Sequence, residues 1–241
     1  MSSVAQVRPE AHGVERGFTR VYIWHWPVRL FHWAMFASVI VLSITGLYIG
    51  RPYLILAPRS TTPFLMGWMR FLHFVAAGVL VGALMLRLYA LFWGDRHERW
   101  GSLLPWGKQD WIGIWRMMKK YARFDWWSGP HYIGHDPLKQ LSFTTFYIFL
   151  LFMVASGFAM YGEANPGGFW WSVATRWMMP LMGGNQMVRL LHHLGLWLFA
   201  AFVPLHVYLV LRSDVLYDRG AVSSMISGNK FKHEHLDYED A

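Results

Sequence analysis

The run Arg189-Leu-Leu-His192-His193-Leu-Gly-Leu-Trp-Leu-Phe-Ala-Ala-Phe-Val-Pro204-Leu-His206 decides how the whole chain is read. His192 and His206 are fourteen residues apart. On a helix turning about 100° and rising about 1.5 Å per residue, both side chains return to within roughly 40° of one face, about 21 Å apart along the axis. The residues between them are apolar enough to lie in lipid, where an ionisable side chain is costly and marks a functional path. One membrane helix of this kind has room for two cofactors, one above the other.

The rest of the chain agrees with a membrane setting. Of 241 residues, 55% are hydrophobic, 18% aromatic and only 15% charged, which is far more apolar than an ordinary soluble domain. A net charge of +8 and a pI near 9.8 would point to nucleic acid in a soluble chain. Here most bases flank apolar runs, which fits membrane orientation and not nucleic-acid binding. The chain has no cysteine, so disulfides, cysteine-held iron–sulfur clusters and covalently attached c-type haem are excluded. Any redox metal must be held by histidine, methionine or oxygen. The first twenty residues lack an apolar core followed by a small-residue cleavage site, so no signal peptide is expected and the first apolar run serves as the insertion signal.

Four uncharged runs are long enough to cross a hydrocarbon layer of about 30 Å. The first, Leu30 to Gly50, lies between Arg29 and Arg51, with Pro27 suited to its opening turn. The second follows Arg70 and reaches about Trp93, with Arg87 near its end where a long side chain can snorkel. The third is Leu141 to Gly162, and the fourth, Leu190 to Leu211, is closed by Arg212. The expected fold is an all-α membrane protein, one domain over 1–241, forming a four-transmembrane-helix bundle with spans of about 28–50, 70–93, 140–162 and 189–211. The loop 94–139 carries Arg96, Arg99, Lys108, Arg116, Lys119, Lys120, Arg123 and Lys139, whereas only Arg176 lies between the third span and Arg189. By the positive-inside rule that loop, the tail 213–241 and both termini are cytoplasmic.

Trp111 to Phe124 mixes aromatics and bases, as a helix lying in the interface or packed within the loop would. Many of the fifteen tryptophans fall near span ends, matching interfacial belts. The tail is expected to be polar and mobile, with His233 and His235 solvated and not metal ligands.

A short repetition carries more information. Arg29-Leu-Phe-His32, Arg70-Phe-Leu-His73 and Arg189-Leu-Leu-His192 all read Arg-x-x-His at the start of a span, which sets the two side chains one turn apart. Such a pair can ligate a haem iron through histidine and offer arginine to the propionates. A single instance is better explained by a positive flank beside an interfacial histidine. Three instances favour the ligand reading.

Depth then sets the pairing. The first and fourth spans run antiparallel, so His32 near the entrance of one lies level with His206 near the exit of the other. His73 and His192, each three residues inside the opposite surface, share the other level. Two haems stacked across the bilayer follow, each between imidazoles from two helices, as bundle cores commonly hold cofactors. With both axial positions filled, the irons suit electron transfer. His193 lies roughly 140° around the helix from His206 and is a packing residue in this scheme. Ser156-Gly157-Phe158 in the third span reads as a close-packing or ring-accommodating surface. His25 precedes the first helix and suits an interfacial anchor, a propionate or a quinone carbonyl. His97, His131 and His135 are loop residues, and the fourteen methionines read as packing.

These residues resemble the cytochrome b subunit of membrane-bound nickel–iron hydrogenases, a family related to the gamma subunit of membrane formate dehydrogenases. The similarity rests on Pro27-Val-Arg-Leu-Phe-His32-Trp33 leading to Ser43-Ile-Thr45-Gly46, on Gly134-His135-Asp136-Pro137-Leu138, on Gly157-Phe158-Ala159-Met160-Tyr161-Gly162-Glu163, and on Arg189 through Trp197 to His206. It covers nearly all of Val21 to Leu211, although Asp136 stands where asparagine is expected.

The resemblance implies two b haems, on His32/His206 and His73/His192, with Arg29, Arg70 and Arg189 beside them. It also implies a place in the bacterial inner membrane within a larger hetero-oligomer of hydrogenase small and large subunits. Electrons would pass from a periplasmic iron–sulfur cluster to the His73/His192 haem, then to the His32/His206 haem, then to quinone near the cytoplasmic surface. A cytochrome serving formate dehydrogenase or thiosulfate reductase would keep the ligands and change the docking surface. A haem-free transporter should show carboxylates within the spans, and none is found; a simple anchor remains the plainest alternative.

Overall fold

A computed structural model describes residues 18–52, 64–105, 107–123, 132–216 and 220–233. His131, His235 and most of the loop after Arg51 lie outside them, as does the side chain of His233. Four helices are long and apolar enough to cross a membrane: α1 (Trp26–Gly50), α2 (Leu65–Trp93), α5 (Pro137–Gly162) and α7 (Asn185–Leu216). Between them lie the one-turn α3 (Trp100–Leu103), α4 (Lys108–Ala122), a π-helical turn at Trp171–Thr175 and α6 (Arg176–Met182). α8 (Ala221–Ser227) follows α7.

Proline marks both upward starts. Pro27 sits in the first turn of α1 and Pro137 in that of α5, where a missing N–H costs nothing. Asp136 caps α5 by accepting from the Lys139 backbone N–H at 2.9 Å, and its other oxygen lies 3.2 Å from Lys139 Nζ.

The bundle is built as two helix pairs. α1 packs along α2, while α5 and α7 close the other side. Its middle is filled by Val39, Leu80, Phe146, Leu150 and Phe199, with Met35, Phe149 and Phe202 against them. Lipid tails are as apolar as these side chains, so association rests on close fit more than on escape from water. Gly195 shows the fit, since a Cβ there would lie 2.2 Å from Met153 Sδ and 3.3 Å from the Phe149 ring.

The chain ends depart from expectation. The tail after Arg212 was expected to be polar and mobile; instead α7 continues to Leu216, α8 follows, and β2 (Asn229–His233) pairs antiparallel with β1 (Phe18–Tyr22), from Phe18↔His233 to Tyr22↔Asn229. The otherwise helical fold thus carries a two-stranded ribbon that brings both chain ends to one side, called here the terminal face. The reason lies in tertiary bonds. The Gly228 carbonyl accepts from the Ile23 and Trp24 N–H groups at 2.8 and 3.1 Å. At φ 84° a Cβ on Gly228 would sit 2.6 Å from the Trp24 carbonyl, so glycine is required. Lys230, almost fully buried, donates Nζ to the Ile133 carbonyl at 3.0 Å. Beneath lie Ile23, Trp24, Val28, Ala90 and Ile133.

α4 joins the two readings of its segment. Gly113, Ile114 and Met117 are buried, with Gly113 close against Pro137, while Trp111 and Trp115 stay exposed on the other side. At the far face, the turn and α6 between the third and fourth spans have no counterpart in the sequence reading. They pack Ala174 and Met178 on Ala159, Thr175 donates to the Ala159 carbonyl at 2.7 Å, and Trp170 stacks on Phe158 at 3.9 Å.

Candidate haem sites

At the terminal-face level, His32 of α1 and His206 of α7 come together with ring centroids 6.4 Å apart and planes inclined by 53°. A ligating imidazole nitrogen lies about 2 Å from its metal and about 1 Å from its own ring centre, so two axial rings stand about 6 Å apart, centre to centre. The separation fits one iron between them. The surroundings are aromatic: Phe202 lies parallel to the His206 ring at 5.7 Å, Phe143 meets it edge-on at 5.7 Å, and Trp33 meets His32 edge-on at 5.2 Å. His32 Nδ1 is buried and has no hydrogen-bond partner among the described residues.

The far-face level is polar at its histidines. Thr45 donates its hydroxyl proton to the Val41 carbonyl at 2.7 Å, so its oxygen accepts from His73 Nδ1–H at 2.9 Å. Ser156 donates to the Met153 carbonyl at 3.1 Å and accepts from His192 Nδ1–H at 2.7 Å. With Nδ1–H donating to these oxygens, each ring keeps its Nε2 lone pair for a metal. A Cβ on Gly46 would lie 3.5 Å from His73 and 3.7 Å from Leu196, which stands one turn after His192. A Cβ on Gly157 would lie 3.5 Å from the His192 ring, so glycine keeps both rings clear on the helix side.

The arginines of the repeated motif are placed differently from one another. Arg29 donates one Nη to the Ile226 carbonyl, and its Nε is buried without a partner among the described residues. That orphaned donor suits a propionate. Arg189 lies 3.5 Å from Glu163, and Arg70 is exposed.

Four other described histidines have other surroundings. His193 packs on Gly50, where a Cβ would come within 2.7 Å of its ring. His25 caps α1, with its N–H on Glu98 at 2.7 Å and its ring 3.6 Å from Asp95. His97 accepts from Arg96 at 3.2 Å. His135 is partly buried, between Trp24 and Phe143, each 4.9 Å away. Burial, and then the charges of Lys139, Lys230 and Arg87, hold His135 well below the ordinary 6.5. The sequence reading takes Ser156 as part of a packing or ring-accommodating surface and gives Thr45 no role of its own, so their contacts with His192 and His73 emerge only in the structure. Their signal is a hydroxyl residue directly followed by glycine within an apolar span, Thr45-Gly46 and Ser156-Gly157.

Four helices long enough to cross a membrane, with His32 and His206 brought to 6.4 Å, fit the class of membrane b-type cytochromes. The chain belongs to the prokaryotic cytochrome b561 family, whose model matches residues 23–228. It is 38% identical over 212 residues to the probable Ni/Fe-hydrogenase B-type cytochrome subunit of Cupriavidus necator, covering 86% of this chain and 85% of that one. It is 36% identical over 222 residues to the protein of the same description from Azotobacter vinelandii, covering 91% and 92%. The probable Ni/Fe-hydrogenase 1 B-type cytochrome subunit of Escherichia coli K12 is 34% identical over 212 residues, covering 86% and 89%.

Proposed function

We propose that this chain is the two-haem cytochrome subunit of a membrane-bound nickel–iron hydrogenase, carrying electrons from the hydrogenase's iron–sulfur clusters to the quinone pool. The observation that carries the reading is the approach of the His32 and His206 rings to 6.4 Å; the second haem is assigned to His73 and His192, each of which has a hydroxyl and a glycine beside it. His32 with His206, and His73 with His192, would each hold a haem b, which would supply a one-electron carrier. Arg29, with its unpartnered Nε, is the propionate partner on the terminal side, and Arg70 and Arg189 serve on the far side.

The bases of the loop 94–139 support a terminal face on the cytoplasmic side of a bacterial inner membrane. Electrons then enter at the periplasmic far face, and quinone is reduced near the cytoplasmic one. The hydrogenase small and large subunits are the partners, and the names of the relatives support them.

Affinity purification of the tagged chain from native membranes tests the reading. Hydrogenase subunits should copurify, the spectrum should be that of bis-histidine haem b with two haems per chain, and hydrogen should reduce the haems. Copurification of a formate- or thiosulfate-oxidoreductase instead would reassign the partner, and a haem-free chain would end the proposal.

A further inference from the structure

The two histidine levels differ in what stands behind each ring. On the far side both Nδ1–H groups are held by hydroxyl oxygens, Thr45 at 2.9 Å and Ser156 at 2.7 Å. Both hydroxyls spend their own protons on helix carbonyls, so they act as acceptors only. On the terminal side, His32 Nδ1 is buried without a partner among the described residues, and His206 is clasped by Phe202 and Phe143.

An acceptor on Nδ1–H draws the proton outward and makes Nε2 a stronger donor. A stronger axial donor stabilises the more positive oxidation state of the iron, while apolar surroundings disfavour it. From this contrast we infer that Thr45 and Ser156 are positioning residues that hold the far-level haem at a lower reduction potential than the terminal-level one. The inference rests on the two-haem reading above. The fold then sets a direction, since one electron leaves the ferrous far-level iron and reduces the ferric terminal-level iron. No bond forms or breaks and no proton moves, and the electron is supplied by the hydrogen-oxidising partner.

Potentiometric titration of the α-band of the purified, haem-loaded full chain tests it, with haem per chain measured on each sample. In the wild type two components are expected, and in His206→Ala the remaining haem should be the lower one. Thr45→Val and Ser156→Ala should each raise the lower component by about a tenfold change in its reduced-to-oxidised ratio, equivalent to about 59 mV for one electron. The upper component should stay in place, and Thr45→Ser should restore the wild-type value. If Thr45→Val fails to load haem, Ser156→Ala reads the same component through the opposite ligand. A lower component that ignores both substitutions, or a His206→Ala protein that keeps the upper one, overturns the inference alone. One haem per chain in the wild type refutes the two-haem reading and this inference with it.

Discussion

The far and terminal levels of the bundle use the same ligand chemistry in opposite settings. Far-side imidazoles are fixed by hydroxyls on α1 and α5, with glycines beside them at Gly46 and Gly157. Terminal-side imidazoles are fixed by aromatic packing and lie beneath a cap made by the two ends of the chain. The same residue type can thus be oriented by a polar bond or by shape. The first sets a tautomer as well as a direction, because a hydroxyl whose proton is already committed can only accept.

The sharpest way to break this comparison is to remove one ligand at a time. His206→Ala should lose one of two haems and keep the far-level spectrum, and His73→Ala should do the reverse, as counted by haem per chain. Loss of both haems in either variant would show that the levels are not independent.

A second substitution acts on both levels. Gly195 lies in α7 between His192 and His206, tight against Met153 and Phe149. Gly195→Val should push α5 and α7 apart at a cost of about 1–3 kcal/mol, lowering the melting temperature in detergent and the occupancy of both sites together. Met153 is flexible enough to absorb most of Gly195→Ala.

The terminal face should respond to acid through His135. Because burial keeps His135 below its usual 6.5, the unfolded chain binds a proton there that the folded chain refuses. Stability is then full above pH 6.5 and falls as the pH drops below it, by at most about 1.4 kcal/mol per unit. Melting curves across that range should show the slope, and His135→Phe should flatten it. The smallest effect is expected at the start of α5, where Asp136→Ala removes a cap worth about 1 kcal/mol. It should lower the melting temperature by a few degrees without changing the haem count.

Much of the fold could be read from the chain because lipid imposes a coarse rule that sequence states directly. A run such as Leu30 to Gly50, bare of charge between two arginines, has little option but to span. The ends were harder to read. The β1–β2 ribbon is five residues on each strand, separated by almost the whole chain, and no local pattern announces its partner. The Arg-x-x-His repeat showed where arginine and histidine share a turn, yet it could not say that Arg29 would meet the Ile226 carbonyl and Arg189 would meet Glu163. Those partners belong to other elements.

The sequence by itself determined four apolar spans, the absence of cysteine ligation, and the fourteen-residue interval that sets two histidines on one face of α7. These are properties of composition and helical period, which act within a single segment. Tertiary structure alone decided that His32 would stand 6.4 Å from His206, that Thr45 and Ser156 would accept from His73 and His192, and that the tail would fold back onto the N-terminal strand. A hydrogen bond or a ring contact depends on distances of a few ångströms between helices, and only packing fixes those.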